Sequence, residues 1–212
     1  NLIPKMAICD PALTLGLPKY LTAATGMDAM AHCIEAYCTP VVNPPAAAIG
    51  LDGLERVVTY LKRAVDDGQD REARWNMMMA ASEGAMAFAK GLGAVHSMSH
   101  AIGADQEMRL HHGTLNAVLL PTVLRFNADH VGDKYKRLRW AMGLAEGADI
   151  ADWITDFNIT LELPANLGEM GVTNDMIPAL AKHCMTDACH FLNPKIPTQD
   201  EYEVMFAEGI AG

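Results

Sequence analysis

The amino-acid sequence predicts an all-α fold, a bundle of helices without a sheet. Apolar residues recur at helical spacing through most of the 212 residues, whereas alternation of apolar and polar residues over strand lengths is nearly absent. Half of the residues are hydrophobic, which is enough to bury a substantial core. No internal repeat and no linker divides the sequence, so residues 1–212 are predicted to form a single helical domain.

Four helices are predicted in the first half of the chain. They are, in order, Leu21 to Cys38, a segment from after Pro44-Pro45 to near DDGQD, Arg71 to about Lys90, and a segment that starts after Gly93. The first of them has Thr22 or Thr25 available as its N-cap.

The second half of the chain continues the helical pattern. The predicted segments are 111–130, 133–145, 148–159, 173–191 and 198–211, and several begin with polar or capping residues. Pro121 lies inside the first of these segments and is expected to bend or interrupt it, because proline lacks the backbone N–H of a helix interior.

Charge and composition exclude several classes of partner. The net charge of −10 opposes binding to nucleic acid or to an anionic membrane, and no apolar run approaches the roughly 18–20 residues of a membrane span. The five cysteines lack paired CxxC spacing, which predicts reduced thiols and a cytoplasmic protein, with Cys33, Cys184 and Cys189 packed in the core. A small-molecule partner is expected.

Two pairs of polar residues at helical spacing stand out. Asp28 and His32 are four residues apart in GMDAMAHCIEAY, and His96 and His100 are four apart in HSMSH. Each pair shares one helix face, and facing helices of a bundle can combine such pairs into a metal site. Carboxylate and imidazole together suit Zn²⁺, Fe²⁺ or Mn²⁺. A hydrogen-bonded Asp–His pair without a metal is the simpler alternative, and spacing does not choose between His96 and His100.

In the motifs around these residues, the sequence resembles the iron-containing (group III) alcohol dehydrogenases, which have the dehydroquinate synthase-like fold. AICDPALTLGLP resembles the segment that enters the family's C-terminal domain. TGMDAMAHCIEAY resembles its first metal motif, and GLGAVHSMSHAIGA followed by HHGTLNAVLLP its second. The likeness covers nearly the whole chain. It implies a helical bundle like the family's C-terminal metal-binding domain, which in the family follows a Rossmann-like nucleotide domain.

The resemblance implies four metal ligands, which are Asp28, His32, His96 and His112. It assigns the last place to His112 because Gly113 follows it, as in the family's His-Gly pair. The interval from His96 to His112 is two residues longer than in the best-known members, so the adjacent His111 is the alternative. His100 matches the second histidine of the family's H-x-x-x-H element, which implies a catalytic role in moving protons near nicotinamide and substrate.

The implied activity is the NAD- or NADP-linked interconversion of an alcohol and an aldehyde or ketone, with Fe²⁺ or alternatively Zn²⁺ as Lewis acid. The sequence has no counterpart of the family's glycine-rich nucleotide motif. The chain is therefore expected to be the catalytic half without the Rossmann-like domain, and to form a homo-oligomer. Two alternatives stay open: a non-enzymatic metal-binding or interaction module, and a zinc-type reaction as in dehydroquinate synthase or glycerol dehydrogenase relatives.

Overall fold

The computed structural model describes residues 5–105 and 107–212, and every regular element in these two ranges is helical. The α-helices are α1 (Lys19–Cys38), α2 (Pro44–Asp66), α3 (Arg71–Ala87), α4 (Ala94–Gly103), α5 (His112–Asn127), α6 (Lys134–Ala141), α7 (Ile150–Thr160), α8 (Ile177–Cys184) and α9 (Gln199–Ala211). Short 3₁₀ turns cover 11–14, 88–90, 128–130, 174–176 and 190–192. The prediction of an all-α fold is confirmed.

Helix α1 lies at the centre of the bundle and packs against α2, α3 and α5. Most of its residues are buried. Small residues on its neighbours permit this close packing: a Cβ on Gly53 of α2 would meet the Cys33 sulfur at 2.8 Å, and one on Gly84 of α3 would meet the His32 Cβ at 3.1 Å. The polar side chains that α1 carries therefore start from a firmly held backbone.

The start of α1 differs from the prediction. The helix begins at Lys19, directly after Pro18, and neither Thr22 nor Thr25 is its N-cap. Both threonines lie inside the helix, where the Thr25 hydroxyl donates to a carbonyl one turn earlier. The Thr22 hydroxyl instead accepts a hydrogen bond of 2.7 Å from the guanidinium of the buried Arg74. The Thr22 hydroxyl that was expected to cap α1 therefore binds Arg74 of α3 instead. Hydrophobic periodicity along one helix gives no information about such a tertiary contact.

Helices α2 and α3 begin and end close to their predicted positions. Pro44 and Pro45 form the first turn of α2 instead of preceding it, which suits proline because the first N–H groups of a helix have no intrahelical partner. The Asn43 side chain caps this turn by accepting from the N–H of Ala46 at 3.2 Å. Helix α3 passes at Ala87 into the 3₁₀ turn 88–90.

Helix α5 continues through Pro121, so this proline does not interrupt the helix, which was one of its two expected effects. Proline leaves the carbonyl four residues earlier, that of Ala117, without its helical donor. The side-chain amide of Asn158 in α7 donates to that carbonyl at 2.8 Å. The neighbouring helix thus supplies the hydrogen bond that proline cannot, so the helix continues.

The segment 173–191 was predicted as one helix, but α8 ends at Cys184. The Ser97 hydroxyl of α4 donates to the carbonyl of Cys184 at 3.2 Å and satisfies one of the last carbonyls of the helix. The Asp187 carboxylate then accepts the N–H of Cys189 at 2.8 Å, which forms a tight turn. This turn brings Asp187 next to His100 of α4, where the two side chains are 3.0 Å apart.

Three histidines lie outside the two motifs. His130 and His183 are exposed, whereas His190 is buried and its Nδ1 lies 3.2 Å from the Tyr202 hydroxyl. A buried tyrosine hydroxyl needs a hydrogen-bond partner, and His190 provides it.

The cysteines in the described ranges are all free. Cys33 and Cys184 are buried as predicted, but Cys189 is only half-buried because it lies in the turn after α8. None of the helices in residues 5–105 and 107–212 is long and apolar enough to cross a membrane.

Candidate metal centre

Three side chains from three different helices converge at one point. Asp28 of α1, His96 of α4 and His112 of α5 place a carboxylate oxygen and two ring nitrogens within 4.8 Å of one another. Asp28 Oδ1 lies 3.7 Å from His96 Nε2 and 3.6 Å from His112 Nε2. His96 is buried, while Asp28 and His112 are partly open to solvent. The cluster is therefore deep on one side and accessible on the other.

The side chain of Asn116, also on α5, contacts all three members of this cluster. Its Nδ2 lies 2.6 Å from Asp28 Oδ1, 3.2 Å from His96 Nε2 and 3.0 Å from His112 Nε2. An amide nitrogen carries two hydrogens and so cannot donate to three acceptors at once. The Asn116 Oδ1 atom is itself buried without a hydrogen-bond partner. Three acceptors therefore face a point where hydrogen bonding alone does not satisfy them.

Glu35 fixes the orientation of His96. Its carboxylate is buried, and Oε2 accepts a hydrogen bond from His96 Nδ1 at 2.5 Å. Since a carboxylate only accepts, Nδ1 carries the proton and Nε2 presents its lone pair toward Asp28. Oε1 also accepts the N–H of Val95 at 2.8 Å, at the N-terminus of α4, where a negative charge is favourable. Glu35 thus positions both the helix and the ring.

A second group caps the same helix end. Asn193 accepts the N–H of Ala94 at 3.0 Å, and Gly93 leaves space for both caps, because a Cβ there would lie 2.6 Å from Asn193 Oδ1 and 2.9 Å from Glu35 Oε1. Helix α4 therefore starts at a fixed place relative to α1. The position of His96 follows from that start.

Gly113 brings α5 against α1. A Cβ at this position would lie 2.3 Å from the carbonyl oxygen of Ala24 and 3.2 Å from the Cβ of Asp28. Any other residue would push the two helices apart. The glycine after His112 is thus the physical condition for that imidazole to reach Asp28.

His32, the remaining predicted ligand, lies beside the cluster. It is not one of the three side chains that converge within 4.8 Å in the described residues. Its ring centroid is 4.4 Å from that of His96, and its Nδ1 lies 2.7 Å from the Asp28 carbonyl oxygen. The carbonyl accepts, so Nδ1 carries the proton and Nε2 has the free lone pair. Burial, and next the neighbouring His96, lowers the pKa of His32 and favours its neutral, ligating form.

His112 and His111 face different surroundings. Burial, followed by the neighbouring imidazoles, lowers the pKa of His112 to about 4 although Asp28 opposes this shift. The His112 ring is therefore neutral near pH 7 and its nitrogens can act as ligands. His111 instead contacts the ring of Tyr20 edge-on, with 6.4 Å between ring centroids. The structure places His112, and not His111, in the cluster.

His100 lies at the open side of the cluster. Its ring stacks on that of His112, with centroids 5.4 Å apart and planes within 16°. Its Nδ1 lies 3.0 Å from Asp187 Oδ2, and because the carboxylate accepts, Nδ1 is the donor. Although burial acts in the opposite direction, the hydrogen bonds from Cys189 and His100 hold the pKa of Asp187 below its usual value. His100 is thus exposed, oriented and next to the cluster.

The donor set fits a divalent transition metal. One carboxylate and neutral imidazoles, with ring nitrogens oriented by hydrogen bonds to their other nitrogen, are the ligands that Fe²⁺ and Zn²⁺ prefer. A cation would also satisfy the acceptors that Asn116 cannot all serve.

Sequence reasoning missed several contributors to this site. Asn116 follows His112 at i+4, a spacing that could have indicated it. Glu35 lies inside the first motif, but only the structure shows that it anchors α4 and orients His96. Asp187 gave no signal, because it reaches the site through a turn that the sequence pattern did not predict.

These features define a class of protein, an all-helical domain with a carboxylate–imidazole cluster suited to a metal ion at one open edge. The family comparison is specific: the family model described as "Fe-containing alcohol dehydrogenase family, C-terminal" matches residues 22–209. The chain belongs to the Fe-containing alcohol dehydrogenase family, which confirms the resemblance inferred from the motifs.

Similar proteins and similar solved structures agree with this family membership. The chain is 54% identical to a 4-hydroxybutyrate dehydrogenase of Cupriavidus necator over 99% of its own length and 57% of the relative. It is 35% identical to a 1,3-propanediol dehydrogenase of Klebsiella pneumoniae, over 97% of the chain and 55% of the relative. The crystal structure of a 1,3-propanediol oxidoreductase superimposes with a TM-score of 0.89 at 33% identity, covering 94% of this chain and 54% of that one. The chain thus spans about half the length of the relatives it matches.

Proposed function

We propose that Asp28, His32, His96 and His112 hold one divalent metal ion, Fe²⁺ or Zn²⁺, and that the chain is the metal-binding part of an alcohol dehydrogenase. The observation that carries this proposal is the convergence of Asp28, His96 and His112 on a point that Asn116 cannot saturate. His32 is the fourth ligand in the proposal, since its ring centroid lies 4.4 Å from that of His96 and Gly84 of α3 packs closely against its Cβ.

When bound, such an ion supplies Lewis-acid chemistry at the oxygen of an alcohol or carbonyl substrate. Glu35 supports that site by holding the Nδ1 proton of His96, so the ring keeps one tautomer and one orientation. Asp28 contributes the negative charge of the ligand set. The open edge beside His112 leaves room for a substrate to approach.

His100 is the proposed catalytic residue for proton movement. It lies between the cluster and solvent, and Asp187 holds its Nδ1 proton so that Nε2 is the basic atom of the ring. This nitrogen can accept a proton from the substrate oxygen and pass it to water.

For the whole protein we propose NAD- or NADP-linked interconversion of an alcohol and an aldehyde or ketone. The identity to the 4-hydroxybutyrate dehydrogenase, over nearly the whole chain, makes ω-hydroxy carboxylates the first substrates to test. A cytoplasmic location and a homo-oligomer stay predictions.

The test combines metal analysis with nucleotide and substrate measurements. Iron and zinc are quantified by mass spectrometry in the purified protein and in His96→Ala. NADPH binding is followed by fluorescence, and turnover is assayed with 4-hydroxybutyrate and either nucleotide. We expect near-stoichiometric metal that is lost in His96→Ala.

Two outcomes contradict the proposal at different levels. If reconstitution with Fe²⁺ and Zn²⁺ leaves no metal on the protein, the ligand set is wrong. Metal without nucleotide binding in this chain alone is the result expected for the metal-binding part. If the metal binds but the whole enzyme, joined to a nucleotide-binding domain, turns over no alcohol or carbonyl compound with either nucleotide, the chain acts as a metal-binding module, and the dehydrogenase assignment fails while the metal site stands.

A further inference from the structure

A second group of ligand-type side chains adjoins the first cluster and shares none of its three ligands. His100, Asp187 and Cys189 place a ring nitrogen, a carboxylate oxygen and a thiol sulfur within 4.8 Å of one another. His100 Nδ1 and Asp187 Oδ2 are already 3.0 Å apart. His100 is exposed, and the other two side chains are half-buried, so an ion in solution can reach all three.

The backbone holds these groups in place before any ion binds. Ser97 of α4 donates to the carbonyl of Cys184, and the Cys184 thiol lies 3.5 Å from the carbonyl of Ser97, so the end of α8 is attached to α4 in both directions. His100 lies one helical turn after Ser97 and therefore faces the turn that follows α8.

Inside this turn, Asp187 Oδ1 accepts the N–H of Cys189 at 2.8 Å. That hydrogen bond uses one carboxylate oxygen and directs the other toward His100. Binding an ion would therefore require little reorganisation of the chain, which is the condition for useful affinity at a three-ligand site.

The chemistry of the three donors differs from that of the first cluster. The first offers oxygen and nitrogen only, whereas this group adds sulfur, which selects borderline-soft and soft ions over Mg²⁺ or Ca²⁺. Three protein ligands with an exposed side leave a fourth position for water. We propose that His100, Asp187 and Cys189 form a second metal site, which binds Zn²⁺ or a similar thiophilic divalent ion.

Binding displaces protons in a defined way. The Cys189 thiol loses its proton to solvent and binds as thiolate, and the His100 proton moves from Nδ1 to Nε2 as Nδ1 becomes a ligand. One proton is released for each ion bound. Since burial, and next Asp187, raises the pKa of the Cys189 thiol to about 12, this proton loss weakens the site at neutral pH. Because two of its three ligands lie in a turn and His100 is exposed, the site is suited to an excess of zinc and not to a permanently held ion.

One consequence rests on the proposed function of His100. An ion on Nδ1 replaces the hydrogen bond to Asp187 and removes His100 from proton transfer. Excess zinc would then slow turnover without displacing the ion held by Asp28, His96 and His112. The site would couple the free zinc concentration to the activity of the whole enzyme.

Cadmium tests the site directly, because Cd²⁺ bound to a thiolate gives an ultraviolet charge-transfer band and Cd²⁺ bound by oxygen and nitrogen does not. The protein is titrated with Cd²⁺, and so are Cys189→Ser and the matched control Cys9→Ser, which removes an exposed cysteine. We expect the band in the parent protein and in Cys9→Ser, and its loss in Cys189→Ser.

His100→Ala provides a second variant that changes an exposed residue and leaves the thiol intact. Removing a direct ligand should shift the midpoint of the cadmium titration at least about tenfold, since the loss of even an indirect partner of a metal ligand costs that much. A band that persists in Cys189→Ser, a midpoint unchanged in His100→Ala, or no band in the parent protein overturns the proposal.

The same titration in His96→Ala separates this proposal from the proposed function. A thiolate band that persists in His96→Ala, together with loss of iron or zinc from that variant, supports both sites. Failure of the first cluster to bind metal leaves the cadmium result at Cys189 unaffected, and the reverse also holds.

Discussion

The two clusters of ligand-type residues lie side by side but are built differently. Asp28, His96 and His112 come from three helices that close packing holds together, with His96 buried and oriented by Glu35. In the second cluster only His100 is helical, while Asp187 and Cys189 lie in a turn, and no member is fully buried. Rigid helices and buried supporting hydrogen bonds favour a permanently bound ion. A turn at the surface favours a reversible one.

The largest expected effect distinguishes His96 from His100, which their four-residue spacing does not. His96→Ala should remove the metal and, in the whole enzyme, the activity, because it deletes a buried ligand. His100→Ala should keep the metal of the first cluster and slow turnover. Metal content by mass spectrometry, measured beside turnover, checks both. If His100→Ala lost the metal while His96→Ala kept it, the two roles would be reversed.

The close helix packing that distinguishes the first cluster from the second can be disrupted at Gly113. In Gly113→Ala the new Cβ would lie 2.3 Å from a backbone carbonyl of α1, so the helices must move apart and carry His112 away from Asp28. We expect a loss of about 1–3 kcal/mol in the free energy of unfolding and weaker metal binding. Chemical denaturation and a metal titration measure the two effects.

Gly103→Ala is the matched control for this substitution. Gly103 ends α4, and a Cβ there would have nothing within 4 Å. Its stability should be unchanged or higher by up to about 1 kcal/mol, because alanine favours the helix over the unfolded chain. Equal losses in the two variants would show that close packing at Gly113 does not hold the site.

The support given by Glu35 should have a smaller effect. In Glu35→Gln one oxygen still accepts the N–H of Val95, but the amide nitrogen cannot accept the Nδ1 proton of His96. We expect metal affinity to fall by roughly 10–100-fold with the fold retained. Competition with a chelator measures this, and Glu55→Gln, an exposed change on α2, should leave the affinity unaltered. Unchanged affinity in Glu35→Gln would mean that the ring keeps its orientation without the carboxylate.

The smallest effect lies away from both clusters, in the layer formed by α2 and α3. Burial, and next Asp52, raises the pKa of Glu83 to about 7, although Arg56 partly opposes this. Because the folded-state pKa exceeds the unfolded one, this carboxyl contributes stability at acid pH that is lost as the pH rises from about 4.5 through 7.

Denaturation curves between pH 4.5 and pH 8 check this linkage. The parent protein should lose stability with rising pH in this window by more than Glu83→Gln, in which the titrating group is absent. Parallel pH profiles for the two proteins would contradict the assigned pKa.

Much of the fold follows from local pattern. Helical periodicity predicted the helices and most of their boundaries, because apolar spacing along a helix is a local property. The errors arose where a partner from elsewhere supplied a hydrogen bond. Asn158 lets α5 continue through Pro121, and Ser97 helps to end α8 at Cys184. Neither partner is near its target in sequence.

The sequence by itself determined the helical class, the two i, i+4 pairs and the family, since these depend on residue type and spacing along one chain. Only the tertiary structure decided that His96 points into the cluster while His100 faces Asp187, and that His112 rather than His111 meets Asp28. The reason is physical: four-residue spacing places two rings on one helix face. What each ring touches depends on neighbouring helices, whose approach is limited by contacts such as that of Gly113 with Ala24.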